Sequence, residues 1–451
     1  MSVSSSRLKC LTVGRSQTRT FAVYAIGEGW TGALGKTHAH RIIKGHHDEE
    51  ETDKPVMIYP GRVDQASAGW GSSAIIKDGQ LWMIGKPQDF VSLLRLYRLP
   101  SLIRKWSAST TDSSETTVVG SMISKIIGWA TGSTNTEAEW EVARKLSRLH
   151  DWTIIEVPTE SIVRSICTSA GFSAVIGASG TLYTFGVNNR GQCGIGKVSN
   201  NEWTPHRVKG LTTKKGKESS PPEQDEPISQ VALGLQHGFA LSSKTGNVYS
   251  WGKAGRGQLG REVDLDQDSI AKPLMGGVAQ VSSGMHHGAV LNHENQVFTW
   301  GKGVVNENGT ISDARLPLLV RGLPEKKITQ ISCGSHHTAV LFDDGSVYAF
   351  GIPADILIPI VDPVELVPPG VIELPLRQFE SHQDRTTIVC NSGQVFQVHL
   401  WKDEALRQYS LFTPAWCDHL LDEDQSVLSV HRGWLHTLIV TGDKAASKYH
   451  R

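Results

Sequence analysis

An interval of six residues restricts the fold of this chain more than any other feature. Gly79 and Gly85, Gly180 and Gly186, Gly246 and Gly252, Asn295 and Gly301, and Gly345 and Gly351 each pair a turn residue with a closing glycine six positions later. Between them lie short runs of strand composition: Leu81-Trp82-Met83, Leu182-Tyr183-Thr184-Phe185, Val248-Tyr249-Ser250-Trp251, Val297-Phe298-Thr299-Trp300 and Val347-Tyr348-Ala349-Phe350. A tight hairpin needs positive φ at its turn, which glycine adopts freely and asparagine tolerates best among the rest, so Asn295 fits the pattern. Each copy also has an apolar run before the turn and another before that, giving antiparallel units at 66–85, 167–186, 231–252, 281–301 and 331–351. Gly252, Gly301 and Gly351 stand 49 and 50 residues apart, a period of β-propeller size.

The remaining copies complete a ring. A degraded one runs over 378–398, keeping Ser392-Gly393 at its turn but placing His399 where the closing glycine belongs. Residues 427–440 supply two strands and residues 21–27 a third, so the two ends are expected to share a blade and remove two exposed sheet edges. The expectation is an all-β, seven-bladed propeller of four-stranded antiparallel blades over 22–442, closed by N- and C-terminal strands, with a tail at 443–451. Gly85 and Gly186 lie two periods apart without a blade signature between them. Apolar residues at helical spacing and the capping pair Thr136 and Glu139 predict a helical insertion over 87–153, between the second and third blades. The Lys/Glu/Ser/Pro-rich stretch 209–227 reads as a charged mobile loop.

Charge excludes one function class. Lys plus Arg and Asp plus Glu number 45 each, so broad neutralisation of duplex DNA phosphates is not expected. The six cysteines form no C-x-x-C pair and no dense disulfide framework, and no run of 18 apolar residues offers a spanning helix. Arg7, Lys9, Arg15 and Arg19 lie among Ser and Thr, with no acidic residue before Glu28, the composition of a mitochondrial transit peptide over 1–21. A disordered basic tail is the alternative. The expected location is the matrix or the matrix side of the inner membrane.

Candidate chemistry is sparse. His237, His287, His337 and His436 each follow a glycine by three residues, and symmetry would gather such positions around one axis, as a metal ring requires. Ser72 and Ala174 are read at the same position in other copies, which favours a structural hydrogen-bonding role instead. Residues 191–197 imitate a phosphate loop, but Val198 stands where Ser or Thr should hold magnesium, and no helix follows; near Gly35-Lys36-Thr37, Trp30 replaces the required first glycine. No catalytic set, metal site or cofactor is expected, and the protein is read as a non-enzyme. Partner surfaces are sought in the insertion, at Arg95, Arg98, Arg104 and Lys105, and on loops after blade strands, at Arg190, Lys253 and Arg256.

The copies at 231–260 and 331–351 resemble the repeats of the regulator of chromosome condensation family, V-x-x-G-x-x-H-x-x-x-L followed by G-x-V-Y-x-W-G and G-Q-L-G. The stretches Val23-Tyr24-Ala25-Ile26-Gly27 and Asn188-Asn189-Arg190-Gly191-Gln192-Cys193-Gly194 are most similar to that family's mitochondrial branch. The resemblance implies a scaffold for protein partners, acting as a guanine-nucleotide exchange factor on a GTPase or as a mitoribosome assembly factor. It makes Gly85, Gly186, Gly252, Gly301, Gly351 and the four histidines repeat features. The alternatives are binding of ribosomal RNA or mitoribosomal proteins during ribosome maturation, and respiratory-complex assembly with peripheral contact to the inner membrane through the insertion.

Overall fold

The structure, a computed structural model, describes residues 21–27, 52–85, 152–212, 226–305, 310–352, 360–399, 411–420, 425–433 and 436–443. They form seven four-stranded antiparallel sheets arranged as the blades of a propeller. Blade 1 is the closing blade: Ala22–Gly27 and Thr52–Pro60 are its third and outer strands, and Gln425–Arg432 and His436–Asp443 its inner and second strands. Blades 2 to 7 follow as 65–155, 163–207, 228–275, 278–319, 328–367 and 376–412. One helical turn, Cys417–Leu420, leads from blade 7 into the closing blade. The tail expected from 443 begins one residue later, because Asp443 ends the last strand.

The turns adopt the conformation their residues demand. φ is +73° at Gly79, +86° at Gly180, +67° at Gly246, +64° at Asn295 and +83° at Gly345. The turn also docks one blade on the next: Gly79, Gly180 and Gly246 offer their carbonyls to the N–H groups of Val163, Ile228 and Val278 at 2.7, 2.8 and 3.1 Å. Asn295 performs that task with its side chain, accepting from Ile328 N at 2.7 Å and donating to the Lys326 carbonyl at 2.8 Å. A second set of ties comes from glutamines on the inner strands. Gln65, Gln230, Gln280 and Gln378 each accept, through Oε1, a backbone N–H of the following blade at 2.7 to 3.1 Å. Between blades the apolar faces pack as in a sandwich, with Phe239 against Trp300 edge to face, centroids 5.3 Å apart.

The outer strands were not read from the sequence, and one of them relocates the insertion. Thr153–Ile155 pairs with the third strand of blade 2, Gln80–Gly85, so the long intervening stretch interrupts blade 2 rather than separating blades 2 and 3. An edge strand can be reached from any distance, because it has a neighbour on one side only. Most of the expected insertion at 87–153 lies outside the described residues, and only Trp152 and Thr153 are seen. Trp152 donates its indole N–H to the Ile58 carbonyl at 3.0 Å and meets Tyr59 edge to face, anchoring this strand on blade 1. The expected loop at 209–227 is packed at both ends, with Leu211 and Glu226 buried and Glu226 accepting from the Thr245 hydroxyl at 2.6 Å; residues 213–225 lie outside the described set. The basic segment 1–20 and Arg95, Arg98, Arg104 and Lys105 lie outside it too. Among the described residues no helix is long and apolar enough to cross a membrane.

Candidate functional site

The closing glycines Gly85, Gly186, Gly252, Gly301 and Gly351 have φ of +79°, +112°, +101°, +97° and +118°. A Cβ at any of them would stand 2.4 to 2.6 Å from a backbone carbonyl oxygen of the adjacent strand. They are a steric requirement of the blade. The motif histidines are buried inside the propeller wall, and among the described residues no cluster suited to a metal exists. Three of the four bridge neighbouring blades through Nε2: His237 to Ser283 at 3.1 Å, His287 to Thr338 at 3.3 Å and His436 to Ser73 at 2.9 Å. Burial lowers His237 and His287 to about 3 and His337 and His436 to about 4, so all four are neutral at pH 7. One sequence assignment needs correction: strand pairing puts Phe172, and not Ala174, opposite Gly186, because Gly171 belongs to the turn and the motif-glycine position of blade 3 is Ser169.

Arg190, Lys253 and Arg256, picked from separate loops, converge on one face of the ring. Arg190 and Arg256 occupy equivalent sites ahead of Gly-Gln-Cys-Gly and Gly-Gln-Leu-Gly. Gln192 and Gln258 fix them by accepting their backbone N–H groups at 2.7 Å, while the carbonyls of the same glutamines receive the indole N–H of Trp251 and Trp300 from the next blade at 2.8 and 3.1 Å. The core tryptophan of one blade thus holds the basic loop of its neighbour in place. Lys253 ends its strand beside both arginines. Partial burial and then repulsion from Arg190 and Arg256 lower its ammonium below the ordinary lysine value, against the pull of Asp266. Arg256 stands 3.6 Å from Asp313, and Arg190 makes no ion pair among the described residues.

The basic group continues around the rim. His286 and His336, each directly before a motif histidine, stack at 6.5 Å with 25° between rings. Burial, then His336, Lys253, Lys302 and Arg256, lower His286 to about 4. At the centre of the same face the loops between first and second strands meet over the channel, where Trp70 and Ala170 pack with Leu235 and Met285. Backbone bonds pass from loop to loop, Leu235 N to Met285 O, Met285 N to Ser335 O and Ser335 N to Gln383 O, at 2.8 to 3.1 Å. This is a firm apolar centre with cations along blades 3 to 5.

A second cluster was missed by sequence reasoning. On the opposite side of the ring Glu380, His382, Asp384 and Arg385 of blade 7 meet Arg432 of blade 1. Burial disfavours the Asp384 carboxylate, but His399 at 3.5 Å and Arg385 at 3.7 Å outweigh it and hold its pKa below the usual range. The signal was present: His382-Gln383-Asp384-Arg385 aligns with Gly334-Ser335-His336-His337, replacing both the motif glycine and the motif histidine with side chains of different shape and charge.

Comparison with known proteins agrees with the blade pattern. Residues 179–241, 245–291 and 294–341 match the Regulator of chromosome condensation (RCC1) repeat. The first match runs from the turn of blade 3 through the second strand of blade 4, so a sequence repeat spans two blades. The human probable E3 ubiquitin-protein ligase HERC3 is 32% identical over 199 residues, which are 43% of this chain and 17% of that protein; the chain therefore covers less than a fifth of that relative's length. Human WBSCR16 superposes with a TM-score of 0.63 at 18% identity, over 94% of this chain and 99% of that one. Prp20p from Saccharomyces cerevisiae, whose crystal structure was described with its binding properties to Gsp1p and histones, gives 0.57 at 16% identity, over 95% and 92%. At these identities the two structures speak for the fold alone.

Proposed function

We propose that this RCC1-repeat propeller is a non-catalytic mitochondrial scaffold that docks an acidic protein surface on the face carrying Arg190, Lys253, Arg256 and Lys302. The observation that carries the reading is the convergence of Arg190, Lys253 and Arg256 from two blades, close enough to lower the lysine ammonium. Held cations of one sign around an apolar centre favour a partner with complementary charge. The repeat resemblance makes a GTPase the first partner to test: docking on its nucleotide-free form would release GDP by differential binding, with no bond chemistry in this chain. A mitoribosome assembly role would use the same face. The mitochondrial assignment rests on Arg7, Lys9, Arg15 and Arg19 in a leader without acidic residues.

RNA recognition commonly combines cations with exposed aromatic rings. Among the described residues the exposed large aromatic is Trp203, on the outer strand of blade 3 and not on the loops that carry the cations, so a protein partner is favoured. The test uses the full chain and its Arg190→Glu/Arg256→Glu variant in assays of labelled GDP release from purified mitochondrial GTPases, with affinity capture from matrix extract before and after nuclease. Exchange or nuclease-resistant capture that the charge reversal abolishes supports the reading. Capture lost to nuclease points to RNA, and partners held equally by the variant remove this face from consideration. Retention in carbonate-washed membranes that is abolished by deleting 89–151, with Trp152 kept for its bond to Ile58, favours the membrane role. A fluorescent fusion excluded from mitochondria ends the localisation argument.

A further inference from the structure

The axial channel is chemically lopsided. Its walls from blades 2 to 6 contribute uncharged residues, whereas blades 7 and 1 contribute Glu380, His382, His431 and Arg432 around a cavity of about 250 Å³. The asymmetry follows from exchanges in blade 7 that depend on one another. In blade 6 a Cβ on Gly334 would stand 2.1 Å from His337 Cε1, so the motif histidine forbids any side chain there. In blade 7 Arg385 takes the histidine position opposite His399, and residue 382 is free to carry an imidazole to the channel wall.

The exchange leaves polar groups without partners. The Arg432 guanidinium makes no hydrogen bond or ion pair among the described residues, and its Nη1 is fully enclosed. Burial, with Arg385 adding repulsion against the attraction of Asp384, lowers it to about 10. Asp384 is already engaged by His399 and Arg385. Nε2 of His337 is also unpartnered, because Ser381 and Thr386 bond each other at 2.8 Å where the other blades offer a hydroxyl to the histidine, and Nδ1 of His382 is buried without a partner, as is Nδ1 of the motif histidines His237, His287 and His436. The carboxylate on the cavity wall, Glu380, is hydrogen-bonded by Gln378 and lies 3.7 Å from His431. A guanidinium whose Nη1 is enclosed and whose nearest carboxylate, Asp384, is engaged elsewhere is unfavourable, and it sits where the repeat pattern has been abandoned.

We propose that this end of the channel is an oxyanion site, in which Arg432, with His382 beside it, holds one carboxylate or phosphate group. The group arrives either as a free small anion or on an acidic side chain of a partner covering the mouth; the site does not depend on the outer basic face. The full chain is titrated calorimetrically with inorganic phosphate and, separately, with an acetylated and amidated Gly-Asp-Gly peptide, and the thermal midpoint is followed in parallel. Saturable binding of phosphate assigns a free anion; binding of the peptide alone assigns a partner's carboxylate. In either case Arg432→Gln weakens binding by about tenfold or more, Arg432→Lys weakens it less, and Arg256→Gln on the outer face leaves it unchanged. Without ligand Arg432→Gln folds and raises the midpoint, because it removes an uncompensated charge. No saturable binding of either probe, or equal binding by Arg432→Gln, overturns the proposal.

Discussion

Gly234→Ala tests the steric argument that links the motif glycine to the motif histidine. The new Cβ would lie 2.0 Å from His237 Cε1, 2.6 Å from its Nδ1 and 2.7 Å from the Gly284 carbonyl oxygen of blade 5. None of these contacts is tolerable, so the imidazole must swing away and the loop must shift. Swinging the ring breaks its 3.1 Å bond to Ser283 in a site with no solvent exposure. Overpacking costs about 1–3 kcal/mol and the lost buried bond about 1 kcal/mol, which together give about 2–4 kcal/mol. The assay is urea denaturation followed by tryptophan fluorescence, with Gly234→Ala, His237→Ala and the double variant forming a cycle. Once the ring is gone, the methyl still meets the Gly284 oxygen at 2.7 Å but no longer the imidazole, so the second step in the His237→Ala background should cost about 1–2 kcal/mol, less than the same step in the parent. A single variant within about 0.5 kcal/mol of the parent, or costs that add within about 0.5 kcal/mol, would refute the reasoning.

Three further outcomes follow from individual contacts. Asn295→Gly relaxes a φ of +64° but gives up both ties to blade 6's approach, Lys326 O and Ile328 N, so the thermal midpoint should fall by the equivalent of about 1–2 kcal/mol; a rise would mean that turn strain dominates. Trp251→Phe keeps an aromatic ring but leaves the Gln192 carbonyl unpaired in a buried site, with an expected loss of about 1–3 kcal/mol by denaturant midpoint and increased proteolysis at the loop carrying Arg190. Enclosure in the channel raises the Glu380 carboxyl to about 7, although 40% of the side chain meets channel solvent, which screens the effect. An acid whose folded pKa exceeds its unfolded one loses stability as pH rises from the unfolded value, about 4.3, to the folded value, and no more above it. Glu380→Gln should therefore raise the midpoint at pH 8 relative to the parent and match it near pH 4; an advantage equal at both pH values would discount the ionisation argument.

The parts of the fold visible in the sequence are those fixed by local geometry. A hairpin with a turn residue and a closing glycine six positions apart can be counted, because both positions have steric requirements that few residues meet. Ring closure was equally visible, since half a blade at each end leaves an edge that only the other end can cover. The outer strands were not legible for a physical reason: Asn201–Arg207 and Gln267–Met275 have one neighbour each, pair irregularly and mix Pro, Lys and Asp with scattered apolar residues. Missing Thr153–Ile155 in this way placed the insertion between blades instead of within one. Arg190, Lys253 and Arg256 were legible because loops following equivalent strands emerge on the same face. The Arg432 cluster was not, since its members become neighbours only when the last inner strand lies beside blade 7.

Blade 7 could give up three motif positions without opening the ring because the ties that hold it are elsewhere. Gln378 still accepts from Val430 N and donates to Val430 O, each at 2.7 Å, so the seam with blade 1 keeps the bridge that Gln230 and Gln280 make between other blades. Ser381 N still donates to Ser332 Oγ on the blade 6 side at 2.7 Å. In blade 7 the attachment to its neighbours thus resides in glutamine and backbone groups, while the glycine–histidine pair of the regular blades fills space and adds an imidazole–hydroxyl bridge that blade 7 lacks. Replacing that pair changes the channel wall and leaves the seam intact. The motif pair can therefore be exchanged jointly without opening the ring: blade 3 carries Ser169 and Phe172 at these positions, and blade 7 carries His382 and Arg385. The double variant His382→Gly/Arg385→His should restore the motif pair of blade 7, with His399 still at the closing position, and with no loss of folding. Arg385→His alone, with His382 retained, should destabilise blade 7 through the same close contact that Gly234→Ala creates in blade 4. Equal stability of the single and double variants would show that the two positions are not coupled and that the cluster around Arg432 did not arise from their exchange.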